Sequence, residues 1–213
     1  MSVTILIADD HPLFRQALTL AAARVIPGAR ILEAGTLAAA ARAAQEAGDD
    51  LKLIMLDLKM PGAVGYSGIA LLHAERPQVP ILVISSAEGQ AAADEARAFG
   101  AIAFLSKHAD LDQIEATIAR ILGGQPPLHH GHTAAPGSDI ETIRKEVAGL
   151  TPTQLKVLLA VLDGQLNKQI AHSLGITEST VKAHMTAIMR KLDVRNRTQA
   201  ALVARSLGLD LAH

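Results

Sequence analysis

"LIMLDLKMPGAVGYSG", residues 53–68, decides how the fold is read. Its apolar run Leu53–Leu56 stops on a carboxylate, Asp57, and the turn-forming Met60-Pro61-Gly62 follows. A short, continuous apolar run closed by turn residues is the pattern of a strand covered on both faces. A charge at the mouth of such a strand needs a reason to be there.

Working outward, "VTILIA" (residues 3–8), "RILEA" (30–34), "PILVIS" (80–85) and "AIAFLS" (101–106) repeat the pattern, with "LKLIML" (51–56) as the third of five strands. Between them lie alanine-rich segments with helical spacing, such as Phe14, Ala17, Ala21 and Val25, and after the fifth strand Leu111, Ile114, Ile118 and Ile121. Strand and helix alternate five times. The expectation is an α/β domain over residues 1–122, a doubly wound five-stranded parallel (βα)5 sheet. In such a sheet the ligand crevice lies at the carboxyl ends of the strands.

The 213 residues are enough for two modest domains, and 49% hydrophobic with 19% charged residues is globular composition. The chain has no cysteine, which excludes disulfides and thiolate metal sites. No apolar run has the length to span a bilayer, and "MSVTILIADD" reaches acid too early for a signal peptide, so a soluble, cytoplasmic protein with no membrane partner is expected. Charge is unevenly divided. Residues 1–149 carry 12 Lys and Arg against 17 Asp and Glu, whereas residues 150–213 carry 8 against 4. That asymmetry suggests a second module facing a polyanion, although a small basic domain can also be simply well solvated.

The second module, residues 149–213, reads as small and all-α. "LTPTQLKVLLAVLDG" opens with Thr151 as N-cap, Pro152 at the first helical position and Gln154 able to reach back, a capping box. "NKQIAHSLG" starts on Asn167 and stops at Gly175, a left-handed C-cap. "ITESTVKAHMTAIMRKL" then buries Val181, Met185, Ile188 and Leu192, and Asn196 caps a last helix in "NRTQAALVARSLG". Ala171, Gly175 and Val181 supply the small, turn and buried positions of a helix-turn-helix. Residues 123–148 form a linker rich in Gly, Pro and His with a helix of its own. Its His129, His130 and His132 are read as flexible polar chain, because no carboxylate or cysteine completes a metal site there.

The strand ends carry the chemistry. Asp9 and Asp10 follow strand one, Asp57 ends strand three, Ser85 ends strand four and Lys107 follows strand five. One Asp after a strand is commonly a cap or turn former, but that does not account for polar groups at four strand ends together. Three converging carboxylates repel unless a cation neutralises them, and Mg²⁺ with oxygen ligands is the simplest answer. A phosphoryl group can then approach, with Lys107 as a second positive contact and Asp57 as nucleophile, giving an aspartyl phosphate.

With "ADDH", "LDLKMPG", "VISS" and "GAIAFLSK" in the first module and "LTPTQLKVL", "NKQIAHSLGITESTVKAHMTAIMRKL" and "VRNRTQA" in the second, the chain resembles a two-component response regulator of the NarL/FixJ type, a receiver domain followed by a LuxR-type DNA-binding domain. The resemblance implies that Asp57 accepts phosphate from a partner histidine kinase. It also implies that Asp10, Asp57 and the backbone carbonyl of Lys59 bind Mg²⁺ with Asp9 assisting, and that Ser85 and Phe104 form the switch pair. Several positions depart from the usual pattern. Phe104 has no hydroxyl; Lys59 sets a cation beside the site, with a solvated side chain as the alternative; and Gly68 rather than Gly65 matches the glycine before the third helix. The resulting long loop after Pro61 is expected to lie over one rim of the pocket and tune access to Asp57.

In the basic module the stripe opposite the buried one holds Lys182, Ala183, Thr186 and Arg190. The resemblance has Lys182, Ala183 and Thr186 meeting base edges of promoter DNA, with Lys182 and Arg190 also able to contact phosphate. Lys168, Arg195 and Arg197 are further phosphate candidates, each weighed against plain solvation, and His184 is expected to be packed at the helix seam. The function so read is a DNA-binding transcriptional regulator switched by phosphorylation of Asp57, a homodimer when phosphorylated or bound to DNA. The alternatives are a regulator that binds DNA regardless of phosphate, and an aspartyl-phosphate phosphatase of the haloacid-dehalogenase type. The phosphatase would want a second Asp where Lys59 stands.

Overall fold

The computed structural model describes residues 3–63, 65–86, 89–125, 147, 149–206 and 209. The linker histidines lie outside them, as does the helix expected in the linker apart from Val147, which is helical. The chain divides into two compact units, Met1–Ala135 and Pro136–His213.

In the first unit β1 (Thr4–Ala8), β2 (Arg30–Ala34), β3 (Leu51–Leu56), β4 (Ile81–Ser85) and β5 (Ala103–Ser106) pair in parallel in the order β2-β1-β3-β4-β5. The order reverses at β1, which places a crevice between the ends of β1 and β3. The helices are α1 (Pro12–Val25), α2 (Leu37–Glu46), α3 (Ser67–Glu75), α4 (Gln90–Ala98) and α5 (Leu111–Leu122). Strand side chains alternate faces. Ile5, Ile7, Leu53, Met55, Leu82 and Ile84 meet Leu18, Ala21 and Ala22 of α1 and Ile114, Ile118 and Ile121 of α5 on one face. Leu6, Ile54 and Leu56, equally buried, take the other. The side of α1 turned to the sheet runs through Phe14, Leu18, Ala21 and Val25, and Ala17, expected on it, is exposed. A one-position error of this kind is easy in an alanine-rich helix, where the small side chain marks neither face.

The loop after Pro61 is tied at both ends. The Pro61 carbonyl accepts from Leu37 N–H at 3.0 Å, and the Tyr66 ring stacks on the buried Phe99 at 5.7 Å. Gly62 and Gly65 hold φ of +84° and +54°, a region other residues enter at a cost. Gly68 lies inside α3, packed between Leu37 and Leu56, instead of ahead of the helix.

The second unit contains α6 (Pro152–Leu162), α7 (Asn167–Leu174), α8 (Glu178–Lys191) and α9 (Arg197–Ser206). Its core takes Leu155, Leu158 and Val161 from α6, Ile170 and Ala171 from α7, Val181, Met185 and Ile188 from α8, and Ala200 and Ala204 from α9. Gly175 ends α7 at φ +66°, ψ +32°, and Ile176 N–H closes the turn on the Ala171 carbonyl at 3.0 Å. Thr177 caps α8 through Thr180 N–H, and Asn196 caps α9 through Gln199 N–H. The capping box forms as expected: Thr151 Oγ1 accepts from Gln154 N–H, and Gln154 Oε1 accepts from Thr151 N–H. Lys191 Nζ, from the end of α8, donates to that same Oε1 at 3.0 Å and to the Gly149 carbonyl at 2.7 Å. Thr151→Ala is therefore expected to destabilise this unit by about 1 kcal/mol. Denaturant unfolding followed by helical circular dichroism measures it, and an unchanged midpoint would show that the cap contributes nothing.

Candidate functional site

The sheet ladder itself delivers the site. One hydrogen bond beyond the strand ends, Asp57 N–H donates to the Ala8 carbonyl at 2.8 Å, Asp9 N–H to Ala34 at 3.0 Å and Lys107 N–H to Ser85 at 2.9 Å. The first residue past β3, β1 and β5 is thus fixed by its main chain, and its side chain needs no further scaffold.

Asp9 and Asp57 are 1% and 2% exposed, so both carboxylates need partners. Lys107 provides one for each: its Nζ lies 2.6 Å from Asp9 Oδ2 and 2.8 Å from Asp57 Oδ2, and 4.8 Å above the Phe14 ring. Asp57 Oδ1 accepts from Lys59 N–H at 3.1 Å. Lys59 therefore enters the site through its main chain, and its side chain is exposed, as in the solvated alternative. Arg15 supports the strand end, its Nη1 donating to the Asp9 carbonyl at 2.8 Å and its Nε to Glu33 at 3.0 Å.

Burial works against the charge on Lys107, but the hydrogen bonds and charges of Asp57 and Asp9 outweigh it and hold the ammonium above its ordinary value of 10.5. A raised value in the folded state means that the ion pairs stabilise fully below the ordinary lysine range and are lost as pH climbs through the raised value. The denaturant midpoint of the full chain is expected to decline on the alkaline side, with a flatter decline in Lys107→Met. An identical decline in the two proteins would remove Lys107 as its source.

Ligand atoms of Asp9, Asp10, His11 and Asp57 lie within 4.8 Å of one another. Asp10 Oδ1 is buried without a hydrogen-bond partner; His11 Nδ1 stands 2.7 Å from it but not at a hydrogen-bonding angle. An oxygen-rich cluster with one oxygen left unsatisfied fits a hard divalent cation. His11 and Arg15 were missed in the sequence. The available signal was "ADDHP": histidine is a poor N-cap, so its place between an acidic pair and a helix-opening proline is unusual.

Ser85 is fully buried at the end of β4, and Phe104 is half-buried in β5. Phe104 pairs with Val83 and Ser106 with Ser85, so Ser85 and Phe104 point to the same face of the sheet. Phe104 borders a groove of about 530 Å³ between α4 and α5, lined also by Ala93, Arg97, Ala116 and Thr117.

In the second unit Lys182, Ala183, Thr186 and Arg190 of α8 are all exposed, as are Lys168 and Arg195, while His184 is half-buried. Thr186 Oγ1 donates to the Lys182 carbonyl at 3.0 Å, leaving the hydroxyl's lone pairs outward. Arg197 is placed differently. Its guanidinium donates to Asn167 Oδ1 at 2.9 Å and to the Gln165 carbonyl, tying α9 to the start of α7.

Residues 5–119 match the family model of the response regulator receiver domain, and residues 148–204 that of bacterial regulatory proteins of the luxR family. The chain is 39% identical over 208 residues to a glycerol metabolism activator of Pseudomonas putida, covering 94% of each protein. It is 29% identical over 207 residues to the nitrate/nitrite response regulator protein NarL of Escherichia coli, covering 93% of each. Among solved structures, a LuxR-family two-component response regulator from Aurantimonas matches with a TM-score of 0.54 at 26% identity, over 60% of this chain and 90% of that one. The RcsB response regulator of Salmonella typhimurium matches the fold over 96% of this chain and 98% of that one, with a TM-score of 0.52 at 19% identity.

Proposed function

The chain belongs to the two-component response regulators of the NarL/FixJ type, a receiver domain followed by a luxR-family DNA-binding domain, and we propose that it is a promoter-binding transcriptional regulator switched by phosphorylation of Asp57. One observation carries this reading: a buried carboxylate at the end of β3 shares a single lysine with a second buried carboxylate at the end of β1. The main chain of both acids is fixed by its own inter-strand hydrogen bonds, so their carboxylates take no part in the ladder. The receiver would take residues 1–122, the linker 123–148 and the DNA-binding module 149–213.

The phosphodonor would be a histidine kinase. An Asp57 carboxylate oxygen attacks phosphorus, the new O–P bond forming as the bond to the donor's leaving group breaks. Lys107, already on Asp57 Oδ2, is positioned to pair with a phosphoryl oxygen as that charge moves. Asp9, Asp10, Asp57 and the Lys59 carbonyl would hold Mg²⁺, which when bound offsets the repulsion among the acids and the incoming phosphoryl group. The buried Ser85 hydroxyl would meet the phosphoryl group, and Phe104, on the same sheet face, would repack in the groove between α4 and α5. The module with Lys182, Ala183 and Thr186 at base edges and Lys168, Arg190 and Arg195 at phosphates would then bind two half-sites as a homodimer. The family is one of regulators and not of enzymes, and the general acid that a phosphatase would want two residues after Asp57 is replaced by an exposed Lys59.

Incubating the full chain with acetyl phosphate and Mg²⁺ is expected to add the mass of one phosphoryl group and to raise affinity for DNA selected from a random-sequence pool by about 5- to 150-fold. A chelator should prevent both. Phosphoryl uptake with unchanged DNA affinity would favour the phosphate-independent regulator, and no uptake would remove the switch.

A further inference from the structure

The crevice contains one group that the phosphorylation chemistry does not use. His11 is the N-cap residue of α1, yet its side chain makes no capping hydrogen bond. Its main-chain N–H donates to Asp9 Oδ1 at 2.7 Å, and its ring is turned back over the acids. Nδ1 lies 2.7 Å from Asp10 Oδ1, 3.2 Å from Asp9 Oδ1 and 3.5 Å from Lys107 Nζ. The ring is otherwise open to water, the side chain being 65% exposed.

Ligand atoms around one ion with bonds of roughly 2.1 Å sit at most about 4.2 Å apart. One atom from each of Asp9, Asp10, His11 and Asp57 falls within 4.8 Å of the others, so the widest pair has at most about 0.6 Å to close around an ion. The ring nitrogen and the unsatisfied Asp10 oxygen converge on the same space without hydrogen-bonding each other. A cation there would satisfy the Asp10 oxygen and draw Nδ1 from its long hydrogen-bond contacts with Asp9 and Lys107, and it would then be held by carboxylates and an imidazole rather than by oxygen alone.

We infer that His11 is a nitrogen ligand of the crevice cation, so that the site takes first-row transition ions such as Co²⁺ and Ni²⁺ in preference to Mg²⁺. Imidazole is a borderline donor that favours these ions, while a site of oxygens alone suits Mg²⁺. The inference rests on the crevice being a cation site, and adds to it the choice of ion.

The test titrates the full-length protein and its His11→Ala variant with Co²⁺ and with Mg²⁺ by calorimetry, and records the electron spin echo of bound Mn²⁺. Because the side chain is largely exposed, the variant is expected to melt with the wild type. Its Co²⁺ affinity should fall at least about tenfold, the lower bound for losing even an outer-shell partner, and its Mg²⁺ affinity by less than twofold. The ¹⁴N modulation of bound Mn²⁺ should be present in the wild type and absent from the variant. Equal loss for both ions, no loss for either, or no ¹⁴N coupling in the wild type would overturn the nitrogen ligand while leaving the cation site standing. Failure of the wild type to bind any of the three ions would overturn the cation site itself.

Discussion

The Asp57→Asn protein is expected to take up phosphoryl groups at least about a hundredfold more slowly than the wild type, and to show no phosphodonor-dependent gain in DNA binding. The amide has no anionic oxygen to attack phosphorus, and the neighbouring acids are poorly placed to replace it. Both oxygens of Asp9 are engaged, Oδ2 by Lys107 at 2.6 Å and Oδ1 by His11 N–H at 2.7 Å. Asp10 is not on the ladder position that aims Asp57, whose N–H is fixed on the Ala8 carbonyl. The fold should tolerate the change. Asparagine keeps the volume and an acceptor for Lys59 N–H, and Lys107 retains Asp9. A shift in stability within about 1 kcal/mol is expected, because one ion pair is lost while the repulsion between two buried carboxylates is relieved. Intact-mass kinetics with acetyl phosphate reads the first effect and thermal unfolding the second. Uptake at the wild-type rate, with the phosphoryl group mapped to Asp10, would move the acceptor to a different residue.

The same ladder explains why so much of this site was legible in the sequence. Buried parallel strands appear as unbroken apolar runs, and the residue after such a run is the one that the last inter-strand hydrogen bond fixes. Asp9, Asp57 and Lys107 could therefore be placed at the crevice from position alone, and all three meet there. The capping box at Thr151, the left-handed turn at Gly175 and the cap at Asn196 were equally accessible, because each depends on residues a few positions apart.

What the sequence left open depends on distant partners. His11 looks like a residue between an acidic pair and a helix; only the three-dimensional crevice brings its ring to Asp10 and Lys107. The loop after Pro61 has no periodicity to read, and its contacts, Leu37 on one side and Phe99 on the other, lie far away in the chain. Arg197 is the clearest case. A positive charge near a helix start reads as a phosphate contact, yet a guanidinium can satisfy Asn167 and the Gln165 carbonyl just as well, and sequence charge does not distinguish the two uses.

That difference makes the DNA-binding surface testable residue by residue. Ala183 is exposed in the middle of the outward stripe of α8, between Lys182 and Thr186. Ala183→Glu keeps a good helix former there and buries nothing, so unfolding should stay within about 0.5 kcal/mol of wild type. Against DNA it sets a carboxylate toward base edges and phosphates. Like-charge juxtaposition at an interface costs several kcal/mol, so affinity is expected to fall at least about a hundredfold. Lys182→Ala should weaken binding by roughly 5- to 150-fold if it reads a base, and should lower the salt slope of log affinity by about 1 if it pairs with a phosphate. Arg197→Ala is expected to act on stability first, because it leaves the Gln165 carbonyl and Asn167 without their donor and loosens α9 from α7. Measuring anisotropy across a salt series together with thermal unfolding separates these outcomes. Undiminished DNA binding by Ala183→Glu would remove α8 as the reading helix. An unchanged melt with a reduced salt slope in Arg197→Ala would return that arginine to the phosphate contacts.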